Sequence, residues 1–347
     1  APANAYGVPP FRTADDFGTP DDRYFAQADW VIRRAADRGF LVLLTPSYLG
    51  HEGGPEGWYQ AMRASGPSRL REYGRYLGRR YASFDNIVWV HGGDYNPPDK
   101  RLVREIAEGI REFDRNALHS AHCAPEARAV SCWAGESWLQ IDTVYTYGPA
   151  VFAAHPKTER IPSVFIEGRY EGELDGTEQH VRMQAYQALL SGAAGHVFGN
   201  NPVWHFDGPG LFQAPTSWQE ALGSRGTQSM AHLRTLFAAR RWWTLEPDGG
   251  NATLTAGHGG IHERAVAALA ADRAFAMVYM PTIRTLIISM DRLAGPLVTA
   301  RWYDPSDGSY LPIPGSPFPV HGRRSFQPPG RNSSGFGDWV LALESGP

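Results

Sequence analysis

The feature that most constrains this chain is a change of pattern near residue 247. Before it, short apolar runs alternate with segments whose apolar residues recur at helical spacing. After it, apolar runs follow one another with no helix between them. Phe25, Ala28, Val31, Ile32 and Ala35 mark a helix over 21–38. Gly39 closes it at the left-handed position that follows a helix, and FLVLLTP (40–46) comes next as a strand expected to be buried on both faces. The cycle repeats. A helix with Leu70, Tyr73, Leu77 and Tyr81 on one stripe precedes the strand NIVWVHGGD (86–94), and one with Leu102, Ile106, Ile110 and Phe113 precedes ALHSAHC (117–123). DTVYTYG (142–148), PSVFIEG (162–168) and GHVFGN (195–200) supply further strands, the last two separated by the helix TEQHVRMQAYQALLSG.

Buried strands alternating with amphipathic helices make β/α units around a parallel sheet. The fold class is therefore α/β. Six strands that each end in a polar or Gly-rich loop fit a (β/α)8 TIM-type barrel better than an open sheet, although the count falls short of eight. A helix over 229–243 completes that domain, residues 1–246. Residues 247–347 read as a C-terminal antiparallel β-sandwich built from ATLTAG, AVAALAADRAFAMVYMP, RTLIISMDRL, VTARWYDPSDGSYLPI and DWVLALES, with Asp307-Gly308 as a hairpin turn.

Composition excludes several classes. With 42% hydrophobic and 20% charged residues the chain can bury a large core. A net charge of -3 leaves no basic footprint for nucleic acid or an anionic membrane, and no apolar run is long enough to span a bilayer. The opening APANAYGVPPFRT has no charged or apolar leader, so a signal segment was either removed or never present. Cys123 and Cys132 sit nine positions apart in a polar stretch, a spacing compatible with a loop disulfide or with two reduced thiols. No feature sets an oligomeric state.

In a β/α barrel the chemistry lies at the C-terminal ends of the strands. Asp94 ends IVWVHGGD and Glu167 ends PSVFIEG, each after an apolar run and beside glycine. Either residue alone could merely cap the next helix. Together they are the equipment for glycoside hydrolysis, in which one carboxyl protonates the departing oxygen while the other attacks the anomeric carbon or activates water. That chemistry needs no cofactor, and GxGxxG, the P-loop signature, HExxH and GxSxG are absent. The histidines lack zinc-site spacing, so no metal is expected. His122 and His196 are candidates for hydrogen bonds to sugar hydroxyls or for simple structural satisfaction, and His91 and Asn96 for holding Asp94 or a hydroxyl. Trp58, Trp133, Trp204, Tyr147 and Tyr170 lie on loops or strand ends, where an aromatic face either stacks on a sugar ring or packs the core. Tyr147 or Tyr170 is expected to hydrogen-bond Glu167.

These strand ends also resemble a known family. GRYLGRRYASFDNIVWVHGGDYNP is similar to the segment of the apiosidase-like glycoside hydrolases (family 140) in which a WV-x-GGD strand end presents the acid/base aspartate. IPSVFIEGRYEG resembles their later strand, whose glutamate is the nucleophile in a GE-x-x-YE context, with the departure that Gly168 here follows Glu167. SGAAGHVFGNNPVWHF resembles the final barrel strand and loop, and SWQEALGSRGTQSMAHLRTLFAARRWWTLEPD the closing helix. ARWYDPSDGSY and RSFQPPGRNSSGFGDWVLAL resemble the family's C-terminal β-sandwich of collagen-binding type.

The resemblance implies a retaining O-glycoside hydrolase with Glu167 as nucleophile and Asp94 as acid/base. It implies a carbohydrate substrate, first a pentofuranosyl linkage such as that of apiose in pectic polysaccharide. An arabinofuranoside or another cell-wall glycan is the alternative, and so is a carbohydrate-binding protein without catalysis. GHEGGPEGWYQ and CAPEARAVSC are the loops expected to set specificity. Family members carry a strand, a helix and a second strand ahead of the segment resembling NAYGVPPF, so the chain is expected to be an N-terminally incomplete version. Action on polymeric glycans implies a secreted or periplasmic enzyme.

Overall fold

Asp21 starts the regular structure: its carboxylate accepts from the Arg23 amide and caps α1 (Asp22–Ala36). In the computed structural model, residues 3–148, 151–153, 161–206, 208, 210 and 212–346 are described, and the chain falls into two units, residues 1–145 and 146–347. The first unit continues with β1 (Val42–Leu44), α2 (Tyr59–Tyr81), β2 (Ile87–Gly92), α3 (Arg101–Arg111), β3 (Leu118–His122), β4 (Ala127–Arg128), α4 (Ala129–Cys132) and β5 (Asp142–Tyr145). β1, β2 and β3 pair in parallel in that order, with Leu44 opposite Trp89 and Trp89 opposite His119. β4 and β5 form an antiparallel pair.

The stripes of the three helices meet one core, where Ile32, Leu70, Leu77, Trp89, Ile106 and Ile110 are buried. α2 and α3 touch backbone to backbone. A Cβ at Gly74 would lie 2.3 Å from the Ile106 carbonyl oxygen, and one at Gly78 would lie 2.5 Å from that of Ile110. Arg71 and Arg75 then fork onto Glu112 across the seam.

Two readings of this unit need correction. The run 40–46 is not buried on both faces: Phe40 and Leu41 are 62% and 61% exposed, and Leu43 points outward. Side chains alternate between the two faces of a strand: Val42 and Leu44 turn toward the core, while the face that carries Leu43 is left open. Phe113 lies beyond the end of α3, exposed, with the Arg79 guanidinium 4.6 Å over its ring.

The second unit opens with β6 (Ser163–Glu167), α5 (Glu178–Leu190), α6 (Trp218–Ala221) and α7 (Arg225–Ala238). The segment 195–200 is not a continuous strand. It makes isolated parallel bridges, His196 to Phe165 and Asn200 to Glu171, because the partner chain from Phe165 to Glu171 is longer than the segment from His196 to Asn200, so the two bridges share no register.

Strands then follow without helices, apart from short 3-10 turns: β7 (Leu245–Pro247), β8 (Leu254–Ala256), β9 (Val266–Ala270), β10 (Phe275–Met280), β11 (Leu286–Ser289), β12 (Leu297–Tyr303), β13 (Tyr310–Pro312), β14 (Phe318–Pro319), β15 (Arg323–Phe326) and β16 (Trp339–Ser345). The larger sheet runs β13-β12-β16-β10-β9-β7, with β14 on β12, and the smaller runs β15-β11-β8. Pairing in both is antiparallel. Asp307-Gly308 turns β12 into β13, with Tyr303 opposite Tyr310 and Gly308 at φ 79°.

Alternation along the larger sheet buries both its faces. Val278, Ala300, Trp302 and Leu341 face Leu254, Leu286 and Ile288 of the smaller sheet. Their neighbours Met277, Tyr279, Tyr303 and Val340 face Tyr186 and Leu190 of α5 and Leu236 and Phe237 of α7.

A buried ion pair ties α5 to this sheet. Arg182 Nε and Nη2 donate to the Asp338 carboxylate at 2.8 and 3.0 Å, and the Tyr279 hydroxyl (3.2 Å) and Asn332 Nδ2 (2.7 Å) donate to the same group. Both charged side chains are fully buried. Removing one partner strands a charge in the interior, so Asp338→Ala is expected to lower the unfolding free energy by about 3–5 kcal/mol. A urea melt of the variant beside the wild type measures this, and an unchanged midpoint would contradict it.

Candidate active site

The first unit carries Asp94. β2 ends at Gly92, and the chain then takes three positive-φ residues in succession: Gly92 at 91°, Gly93 at 118° and Asp94 itself at 48°. Only glycine fits the first two. A Cβ on Gly92 would sit 2.5 Å from the His122 carbonyl oxygen, and one on Gly93 would sit 2.4 Å from the Tyr48 ring. The turn brings Asp94 Oδ2 to the Tyr48 hydroxyl, which donates at 2.7 Å. Oδ1 is buried, with no hydrogen-bond partner among the described residues. His122 lies beside it, its Nδ1 3.9 Å from Oδ1, with its ring stacked on Tyr145 at 5.0 Å. Tyr48 sits just past β1, on a strand end held by the bond from the Tyr73 hydroxyl to the Pro46 carbonyl. Sequence reasoning missed Tyr48, although the strand-end rule that found Asp94 applies to it equally.

Other expected residues of this unit lie elsewhere. His91 is 1% exposed; its Nε2 is 2.9 Å from His119 Nδ1, with the two rings stacked and Trp138 against their edge. It is an interior group, not one open to a ligand. Asn96 does not hold Asp94: its Oδ1 accepts from the Ala124 amide at 3.1 Å and so braces the loop after β3. Trp58 packs edge-on against Phe11 and Phe17 and lines a cavity of about 270 Å³ with Tyr48, Tyr73 and Trp89. Trp133 is buried against Trp138.

The second unit carries Glu167, the last residue of β6. Its Oε1 accepts from the Tyr170 hydroxyl at 3.1 Å and from the Tyr147 hydroxyl at 3.4 Å. Burial, and then the charge of Glu167, push the Tyr170 phenol up, so that it keeps its proton and donates. The turn after Glu167 is fixed from α5. Gln184 accepts from the Arg169 amide at 3.0 Å and donates to the Arg169 carbonyl at 2.8 Å. A Cβ on Gly168 would lie 2.5 Å from the Phe165 ring and 2.8 Å from Gln184 Oε1, so neither leaves it room.

Tyr147 is 41% exposed and Trp204 44%. Trp204 Nε1 donates at 2.8 Å to Glu173, a residue sequence reasoning passed over. Burial raises the Glu173 carboxyl, the Trp204 bond opposes the rise, and the charge of Glu167 adds to it. Trp204 and Tyr170 line a second cavity of about 330 Å³. His196 stacks on Phe165, its ring 5.6 Å away. The expected residues thus gather as Asp94 with His122 in one unit, and as Glu167 with Tyr147 and Tyr170 in the other.

The model of a family described as "Apiosidase-like, catalytic domain" matches residues 1–244, and one described as "Putative collagen-binding domain of a collagenase" matches residues 251–344. No curated protein matches the chain. A crystal structure of a glycoside hydrolase family 5 from Bacteroides vulgatus ATCC 8482 is 23% identical, with 93% of this chain and 74% of that one aligned and a TM-score of 0.80. A second solved structure, titled glycoside hydrolase, is 22% identical over 99% of this chain and 82% of that one, with a TM-score of 0.82. The fold is accordingly that of a TIM-barrel glycoside hydrolase followed by an antiparallel sheet domain.

The interior histidines make stability depend on pH. Burial, and then the neighbouring His119, hold His91 well below its ordinary value, and burial holds His119 at about 3. The unfolded chain binds protons at these rings near pH 6.5 that the folded protein refuses. Stability is therefore complete above about pH 6.5 and is lost as pH falls toward the folded values, by about 1.4 kcal/mol per pH unit for each ring. Urea midpoints at about pH 7 and about pH 5 should differ accordingly. A His119→Gln variant should show a shallower dependence, and equal slopes in the two proteins would refute the cause.

Proposed function

Because the chain belongs to the apiosidase-like catalytic domain family, we propose that it is a retaining O-glycoside hydrolase acting at a pentofuranosyl, apiosyl-like linkage of cell-wall polysaccharide or oligosaccharide. The observation that carries this reading is that each strand-end carboxylate is held by tyrosine hydroxyls: Asp94 by Tyr48, and Glu167 by Tyr170 and Tyr147. Hydrogen bonds of this kind fix the direction from which a carboxyl group meets a bond.

In the proposed reaction Glu167 attacks the anomeric carbon while Asp94 gives its proton to the departing glycosidic oxygen, leaving a glycosyl ester on Glu167. Asp94, now ionised, takes a proton from water. The resulting attack returns the sugar with its original anomeric configuration and restores both groups. Tyr170 and Tyr147 donate to Glu167 Oε1 throughout and steady its charge as the ester forms and breaks. Trp204, fixed by Glu173, offers a face for the apolar side of a neighbouring sugar, and His122 offers a ring nitrogen to a hydroxyl. Such a substrate places the enzyme outside the cell or in a periplasm.

The test is hydrolysis of aryl pentofuranosides, apiosides and cell-wall polysaccharides by the wild type beside Glu167→Gln and Asp94→Asn. Each variant is expected to lose at least about 10³-fold in kcat with an unchanged thermal melt. The first-formed sugar, followed by NMR, should keep the anomeric configuration of the substrate. Undiminished turnover in either variant would overturn the assignment, and saccharide binding without turnover in the wild type would leave a binding protein instead. Tyr170→Phe should cost about tenfold in kcat, the worth of one hydrogen bond of about 1.4 kcal/mol.

A further inference from the structure

Tyr170, which donates to Glu167, is followed by a residue whose own bonds reach well beyond the strand end. Glu171 is half-buried on the turn after β6. Its Oε1 accepts from the Gly226 amide at 2.8 Å, and its Oε2 accepts from Ser224 Oγ at 2.6 Å and from Asn200 Nδ2 at 2.9 Å. Gly226 lies in the first turn of α7, and Ser224 is the N-cap of that helix, accepting from the Thr227 amide at 3.2 Å. A negative group is favoured at such a place, because it meets free amides and the positive end of the helix dipole. Hydrogen bonds to a charged acceptor are also the strong ones.

The backbone of Glu171 is fixed as well. Its amide donates to the Gly199 carbonyl at 3.0 Å, and its carbonyl accepts from the Asn201 amide at 2.9 Å. Gly199 in turn meets the ring of Tyr170, since a Cβ there would lie 2.4 Å from Tyr170 Cδ1. Contacts therefore run without a gap from the start of α7 through Glu171 and the segment 199–201 to the Tyr170 ring, and from its hydroxyl to Glu167 Oε1.

We infer that Glu171 is a positioning residue for Glu167: by tying the turn after β6 to the N-terminus of α7, it holds the Tyr170 hydroxyl on the carboxylate. The inference rests on the reading of Glu167 as the nucleophile. In Glu171→Gln one oxygen becomes an amide nitrogen, which cannot accept, so either the Gly226 amide or the Ser224 and Asn200 pair loses its acceptor. Gly226→Ala disturbs the same tie from the helix side. Its Cβ would stand 2.3 Å from Glu171 Oε2 and displace that carboxylate, while alanine suits a helix better than glycine does, so the fold is kept.

The test uses the whole protein labelled with fluorotyrosine, the Tyr170 fluorine resonance being assigned by its loss in Tyr170→Phe. Glu171→Gln and Gly226→Ala should each shift or broaden that resonance. On an aryl glycoside that the wild type hydrolyses, both should lose about three- to tenfold in kcat with KM changed less than about twofold. Glu171→Gln should cost nothing further in a Tyr170→Phe background, because a residue that acts through Tyr170 has no effect left to exert once that hydroxyl is gone. A purely structural role would instead lower the thermal melt and multiply the loss in the double variant. An unmoved Tyr170 resonance, an unchanged kcat in both single variants, or losses that multiply would overturn the inference. Undiminished turnover in Glu167→Gln, with the Tyr170 resonance still shifted by Glu171→Gln, would strike the nucleophile reading itself and the positioning role with it.

Discussion

In the second unit the Arg182–Asp338 pair sets what can move. Arg182 lies on α5, and two residues further along the same helix Gln184 clamps the backbone of Arg169 just beyond Glu167. Asp338 immediately precedes β16, the strand that joins β10 to β12 in the larger sheet. The carboxylate is held by four donors, and the guanidinium is shared with Ser229 of α7. Buried charges tolerate little displacement because every lost hydrogen bond leaves desolvation uncompensated. The strand end bearing Glu167 is therefore indexed, through one helix, to the centre of a β-sheet far along the chain.

Asp94 is positioned by different means. Among the described residues no buried charge fixes it; the backbone does, beside the Tyr48 hydroxyl bond, through two glycines whose missing side chains let the turn press against the His122 carbonyl and the Tyr48 ring. Asp94 itself sits in the left-handed region, where aspartate is tolerated better than most residues because its short side chain can bond locally. One carboxylate thus depends on a network of side chains and the other on the shape of a turn.

The parts legible in the sequence are those that follow local rules. The helices α1, α2 and α3 announce themselves by stripe, the hairpin at Asp307-Gly308 by its turn residues, and Asp94 and Glu167 by their places at the ends of apolar runs. What is not legible depends on distant partners. Leu43 reads as buried because its neighbours are apolar, but burial is decided by what packs on the face it points to, and a paired strand alongside does not cover that face. His91 reads as a strand-end polar group, whereas β2 is buried along its whole length and turns that ring onto His119. The segment 195–200 has strand composition, yet its two bridges, to Phe165 and to Glu171, fall in different registers, and no continuous ladder forms between them. Arg182 looks like a surface arginine in an amphipathic helix until Asp338, 156 residues later, is placed against it.

The larger sheet of the C-terminal region is covered on one side by the smaller sheet and on the other by α5 and α7, which belong to the segment matched by the catalytic-domain model. The two family models part the chain between residues 244 and 251, but the apolar contact does not part there. Cut at that junction, the sandwich would present Met277, Tyr279 and Val340 to water, a face that invites association with any other bare surface. In evolutionary terms the C-terminal piece is a poor module to shuffle. It would have to travel with the helices that roof it, and a genome that acquires one half has reason to keep the other.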